Sequence, residues 1–291
     1  MMENLPRTHE IIGKQVSSAG IVENILHSIR IPPCPEVLLA LVEEMRQAEV
    51  DFTRLTRLIS KDVGLAASML KTANSPYFAA PNKICTIPHA VSVLGMKNLI
   101  QVVRGSALQK ALAGDKMAMQ QFWERSSLTA VLAARMADKL YDISHEEAYT
   151  VGLFHDCGIP VLMQKFPDYP MKLTASDPSF EPSITFEDSY YGTNHAVVGN
   201  LLARNWHLPE QISQAILVHH DYTIYSQPDH RCTPQICALV AITQMAEHIA
   251  ATLLGKPDDA EWQAYGRIAL DHLGLCSEDM DSIAEDALAE L

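Results

Sequence analysis

The sequence predicts an all-helical protein, on three observations. Apolar residues recur at helical spacing wherever a pattern is clear, sustained two-residue alternation is hard to find, and prolines or capping residues fall between the stripes. Leu38, Leu41, Val42 and Met45 form one stripe, and Val63, Ala66, Ala67 and Leu70 form another. Pro32-Pro33 precedes the first stripe, Asp51 stands where it can cap a helix entering Arg54-Leu55, and Thr86 precedes Pro88 as the next start. Asn74-Ser75-Pro76 reads as a helix stop, because the residue before a proline leaves the helical region. Gly95, Gly114 and Pro209 mark further boundaries, and Ser277, followed by Glu278 and Asp279, opens a last acidic helix. The segment from Phe166 to Ser183 holds four prolines and reads as a loop-rich crossing able to act as a lid.

Composition limits the function classes. With 291 residues, 48% apolar and 20% charged, the chain has the makings of a folded core and no low-complexity tract. A net charge of -13 repels nucleic acid and anionic membrane over most of the surface, so neither is an expected partner. Six cysteines lack paired CxxC spacing, which argues against a zinc module or a disulfide framework and suits a reducing cytoplasm. The N-terminus has no basic stretch followed by an apolar one, and no window of 18 uninterrupted apolar residues occurs, so neither export nor membrane spanning is expected.

Three helices are predicted to aim an imidazole inward. Ala148, Val151, Gly152 and His155 follow one helical face; His195 heads the series Val198, Gly199, Leu202; and His219 closes the series Ile212, Ala215, Ile216. Asp156 stands beside the first histidine. Buried histidines need partners, and convergence on one polar site is the simplest way to supply them. His220 and Asp221 adjoin the third histidine, where a capping or solvated role is the plainer reading. Glu187, just before the His195 helix, is placed to reach the same pocket, with a solvated carboxylate the plainer reading.

These residues resemble a known family. His155-Asp156, His195 in Gly192-Thr193-Asn194-His195, and His219-His220-Asp221 look like the HD superfamily of metal-dependent phosphohydrolases, most closely its HDOD branch. Asp62-Val63-Gly64 through Leu70-Lys71-Thr72-Ala73-Asn74-Ser75-Pro76-Tyr77-Phe78, and Ile87-Pro88-His89-Ala90-Val91-Ser92-Val93-Leu94-Gly95, resemble that branch's upstream segments in order. The resemblance implies an N-terminal bundle of short helices packed on an HD-like helical bundle. We divide the chain into a tail or arm at 1–20, an HDOD-specific subdomain at 21–114 and an HD-like subdomain at 115–291, the two halves packing together. It also implies a cytoplasmic bacterial signalling module with an unidentified protein partner.

Two positions depart from the family pattern. A Trp-x-His-Ser histidine and a late aspartate complete the metal site in the enzymes this chain resembles. Here Phe122-Trp123-Glu124-Arg125-Ser126 puts Arg125 at the first place, and Thr243 falls near the second. Both are predicted to face inward, Arg125 with Leu128, Thr129 and Leu132, and Thr243 with Ile236, Leu239 and Val240. A guanidinium has only donors and repels a cation by roughly 4 kcal/mol per unit charge at about 4 Å. The expectation is therefore a degenerate, non-catalytic pocket of Arg125, His155, Asp156, His195, His219, His220 and Thr243, with no metal. In that pocket Arg125 pairs with Asp156, or joins His155, His195 and His219 to bind phosphate or a nucleotide. The competing expectation is a phosphohydrolase acting on a nucleotide or cyclic dinucleotide, holding divalent iron, manganese or zinc through His155, Asp156, His195 and His219.

Overall fold

The computed structural model describes residues 26–289 apart from 27, 48–49, 76–77, 79–82, 113–115, 141–142, 170–183, 227–231 and 256–259. Every regular element among the described residues is helical, as the apolar periodicity requires. The tail at 1–20, the boundary at Gly114 and nearly all of the proline-rich crossing lie outside the described residues.

The N-terminal half contains α1 (Glu36–Met45), α2 (Phe52–Ser60), α3 (Val63–Ala73) and α4 (Ile87–Ala111). Asp51 caps α2 by accepting from the backbone N–H groups of Thr53 and Arg54, and Asp62 caps α3 in the same way through Gly64 and Leu65. One face of α2 buries Leu55 and Ile59 completely, each worth roughly 1.5–3 kcal/mol. Gly95 breaks α4 internally with φ 69°, a left-handed value that favours glycine, so this boundary is a kink inside one helix. Asn74 ends α3 and does more than stop it. Its side-chain amide donates to Ile84 O at 2.8 Å and its Oδ1 accepts from Ile84 N at 2.8 Å, closing the intervening loop with a two-bond clamp.

The C-terminal half contains α5 (Lys116–Lys139), α6 (His145–Phe154), α7 (Gly158–Lys165), α8 (Ile184–Tyr191), α9 (His195–Asn205), α10 (Glu210–Val218), α11 (Pro234–Leu253), α12 (Ala260–Leu273) and α13 (Ser277–Ala289). A 3₁₀ turn, Tyr222–Tyr225, follows α10. At the centre, α11 packs against α5, α6, α10 and α12. Its mean hydropathy of 1.5 over an 18-residue window would suit a membrane span on composition alone, yet 72% of that window is buried in the bundle. It is a core helix.

The halves meet along α4 and α6. Gln101 donates to Glu146 O at 2.9 Å and accepts from the Thr150 hydroxyl at 3.1 Å, while Lys97 pairs with Glu146 at 2.6 Å. The buried indole of Trp206 donates to Pro32 O at 3.0 Å, tying the chain ahead of α1 to the C-terminal end of α9.

Candidate functional site: a buried histidine and carboxylate cluster

The three histidines lie at helix ends, and this placement fixes their rings. His155 and His219 are the C-terminal caps of α6 and α10. The last carbonyls of a helix lack intrahelical donors. Each ring uses one of them: His155 Nδ1 meets Gly152 O at 2.8 Å, and His219 Nδ1 meets Ile216 O at 2.7 Å. His195 opens α9, where Glu187 Oε2 accepts from its backbone N at 2.7 Å and from its Nδ1 at 2.8 Å. Glu187 is itself held by the Tyr169 hydroxyl at 2.5 Å and is buried against the cluster, contrary to the plainer expectation of a solvated carboxylate.

Close backbone packing delivers the two helices to each other. A Cβ on Gly158 would lie 2.0 Å from His195 O, so only glycine lets α7 approach the start of α9 this closely. Asp156 sits in the tight turn joining α6 to α7, and its carboxylate enters the space between the rings.

The carboxylate divides its oxygens. Oδ2 lies 3.2 Å from His155 Nε2, while Oδ1 lies 3.4 Å from His195 Nε2 and 3.5 Å from His219 Nε2. His220, expected from sequence in the pocket or as a capping group, lies in the cluster: its Nε2 is 3.0 Å from His195 Nε2, and its Nδ1 bonds Glu261 Oε1 at 2.7 Å. All four imidazoles thus give their Nδ1 edge to an acceptor; three of them turn Nε2 toward Asp156, and His220 turns its Nε2 toward that of His195. The Nε2 atoms of His155 and His219 are buried without a hydrogen-bond partner. Burying such an atom unsatisfied costs about 1–3 kcal/mol, so this arrangement calls for a proton or a cation.

Arg125 faces inward as expected, but the carboxylate it meets is Glu247, with Nη2 to Oε1 at 2.6 Å. The pairing expected with Asp156 is corrected, because that carboxylate is engaged by the imidazoles. Thr243 is corrected as well. It is fully buried, but its hydroxyl donates to Leu239 O of its own helix at 2.8 Å, one turn short of the site. Glu247, one turn further along α11, reaches the cluster instead, with Oε1 3.5 Å from His155 Nε2. Sequence reasoning missed Glu247 and Glu261.

These carboxylates reverse the charge argument. Asp156, Glu187, Glu247 and Glu261 touch the cluster, against the guanidinium of Arg125. With neutral imidazoles the site would be strongly anionic. Protons answer that charge: burial pulls His155 down, but Asp156 and Glu247 outweigh it and hold the ring well above its ordinary value. Burial likewise opposes ionisation of Asp156 and Glu247, yet His155 with its neighbours, and Arg125 with His155, keep both well below the usual carboxylate range. His220, despite burial, is raised to about 9 by Glu261, and His219 is lowered to about 3 by burial and the His220 charge.

The same atoms form two groups that could hold a metal ion, Asp156 with His195, His219 and His220, and His155 with Asp156 and Glu247, the ligand atoms of each lying within 4.8 Å of one another. The chemistry fits such an ion: imidazole and carboxylate are ligands of zinc, iron and manganese, and ligating histidines donate their second nitrogen to a carbonyl or carboxylate.

Bundle and donor set together define a helical protein of the histidine–aspartate kind. Residues 31–222 match the HDOD domain, and the chain belongs to that family. A Treponema pallidum protein of uncharacterized function is 26% identical over 220 residues, which cover 75% of this chain and 42% of the relative. The chain thus spans less than half the length of that curated relative. Among solved structures, a candidate phosphohydrolase from Shewanella amazonensis SB2B superposes with a TM-score of 0.68 at 21% identity, covering 92% of this chain and 93% of its own. An HDOD domain protein of unknown function from Geobacter sulfurreducens gives 0.66 at 24% identity, covering 94% and 97%. A candidate signal transduction protein from Marinobacter aquaeolei VT8 gives 0.64 at 20% identity, covering 94% of this chain and 66% of its own. These likenesses establish the fold.

Proposed function

We propose that the protein is a cytoplasmic signalling module whose core binds a divalent cation and, through it, a phosphate-bearing small ligand. The observation that carries this reading is the pair of buried, unpartnered Nε2 atoms of His155 and His219 turned toward Asp156. Asp156, His195, His219 and His220, with His155 and Glu247 beside them, would hold iron, manganese or zinc. A bound cation supplies charge stabilisation to phosphoryl oxygens and lowers the pKa of a bound water. Arg125, Glu247, His220 and Glu261 are the partly exposed members of the cluster, so a ligand would approach from their side. A guanidinium there suits a phosphate. Free cysteines throughout the described residues and the acidic surface support the reducing compartment and the exclusion of nucleic acid.

The test is elemental analysis of protein purified without chelator, followed by calorimetry against nucleotides and cyclic dinucleotides before and after metal removal. Bound iron, manganese or zinc with metal-dependent heat is the expected result. Protein that carries no metal and takes up none would return the pocket to a charge-balanced, metal-free scaffold. Hydrolysis is a second reading, favoured by retention of five ligand-capable side chains around the Asp156 carboxylate. Release of p-nitrophenol from a phosphodiester by the metal-loaded protein, abolished in Asp156→Ala, would establish it.

A further inference from the structure

The cluster has two loci for positive charge, and they are not equivalent. Asp156 presents Oδ1 to His195 and His219 on one side and Oδ2 to His155 on the other, so one carboxylate serves both loci. The first locus is completed by His220, whose Nε2 lies 3.0 Å from that of His195, and among the described residues no guanidinium forms an ion pair with any of its members. The second locus is completed by Glu247, and there the situation differs. Glu247 Oε1, the oxygen 3.5 Å from His155 Nε2, is the same atom that Arg125 Nη2 holds at 2.6 Å. A cation placed between His155 and Glu247 would have to share that oxygen with a permanently charged guanidinium.

Resting on the metal reading above, we infer that the core takes one divalent cation, at Asp156, His195, His219 and His220, and that Arg125 fills the second locus in place of a second ion. The guanidinium satisfies the Glu247 charge, and His155 Nε2 faces Asp156 Oδ2 at 3.2 Å. Removing the positive charge of Arg125 while keeping Glu247 therefore opens the second locus to a metal.

The experiment is manganese titration of the full chain after chelation, with stoichiometry read by elemental analysis and the electronic state by electron paramagnetic resonance. Wild-type protein is expected to saturate at about one Mn²⁺ per chain with the spectrum of an isolated ion. Arg125→Gln and Arg125→His are expected to reach about two, with the exchange-coupled spectrum of neighbouring ions. Arg125→Lys, which keeps the charge, is expected to stay at about one, and Glu247→Gln added to Arg125→Gln to return to about one. A wild type that binds about two ions overturns this inference and leaves the metal reading intact. Wild type and Arg125→Gln both stopping at one ion would also overturn it. A wild type that binds none overturns the metal reading and this inference with it. Melting curves of Arg125→Gln with and without Mn²⁺ separate a misfolded variant from a folded one, and the wild-type titration decides the outcome even if that variant does not fold.

Discussion

The two halves of the molecule bury polar groups very differently. Among the described residues of 26–112 the buried polar side chains are Glu44 and Gln101, one paired with Arg54 and the Asp51 backbone, the other bridging to α6. The C-terminal half buries Asp156, Glu187, His155, His195 and His219 together, each beside another ionisable group. The N-terminal half is built as apolar packing with capped helix ends. The C-terminal half spends part of its interior on charge, which costs stability unless every group is satisfied, and such spending marks where function is housed.

Substitutions in the two halves should separate accordingly, and the largest expected effect is in the C-terminal half. Gly158→Ala forces a Cβ onto His195 O, and chemical denaturation is expected to show a loss of more than about 4 kcal/mol. Next is Asp156→Asn in metal-free protein, which removes the carboxylate facing three imidazoles and should cost about 3 kcal/mol in the same assay. Its N-terminal counterpart, Asn74→Ala, loses the clamp on Ile84 together with a bond to Leu70 O and should cost roughly 1–3 kcal/mol. An Asn74 cost equal to that of Asp156 would erase the contrast between the halves.

The pH dependence of the chelated protein sharpens it. His220, raised from 6.5 to about 9, adds stability that is full below its ordinary pKa and is lost as pH rises through about 9. His219, lowered to about 3, is buried neutral, so its share is lost as pH falls from 6.5 toward 3. Melting temperature is therefore expected to peak near neutrality and fall on both sides, with His220→Gln flattening the alkaline limb. An alkaline limb unchanged in that variant would contradict the assignment. The smallest effect belongs to His207, exposed after α9 with φ 55°: His207→Gly should stabilise by about 0.5–1 kcal/mol in thermal melts.

Much of this was legible in the sequence. Helical spacing placed His155, His195 and His219 inward, and Asp51, Thr86 and Pro209 marked helix starts that the structure keeps. Glu247 was also within reach of sequence reasoning, since continuing the stripe through Thr243 by one more turn arrives at it. Following the family pattern to Thr243 stopped the reading four residues early. His220 stood in the expected pocket beside a capping reading, because adjacent residues diverge on a helix; α10 ends before the pair, and the following turn brings both rings to the same side. Glu261 left no local signal, since its bond to His220 joins residues 41 apart through tertiary packing alone. Nor could spacing foresee that Asn74 would use both ends of its amide on a distant backbone.

The bond from Trp206 to Pro32 O has a practical outcome for dissecting the protein. Any fragment that begins after the first half strips the indole of its acceptor and uncovers a side chain now only 3% exposed, at the far end of the helix that His195 starts. Separately expressed halves would thus not behave as independent parts, and a red shift in tryptophan emission would be the first visible sign of their parting.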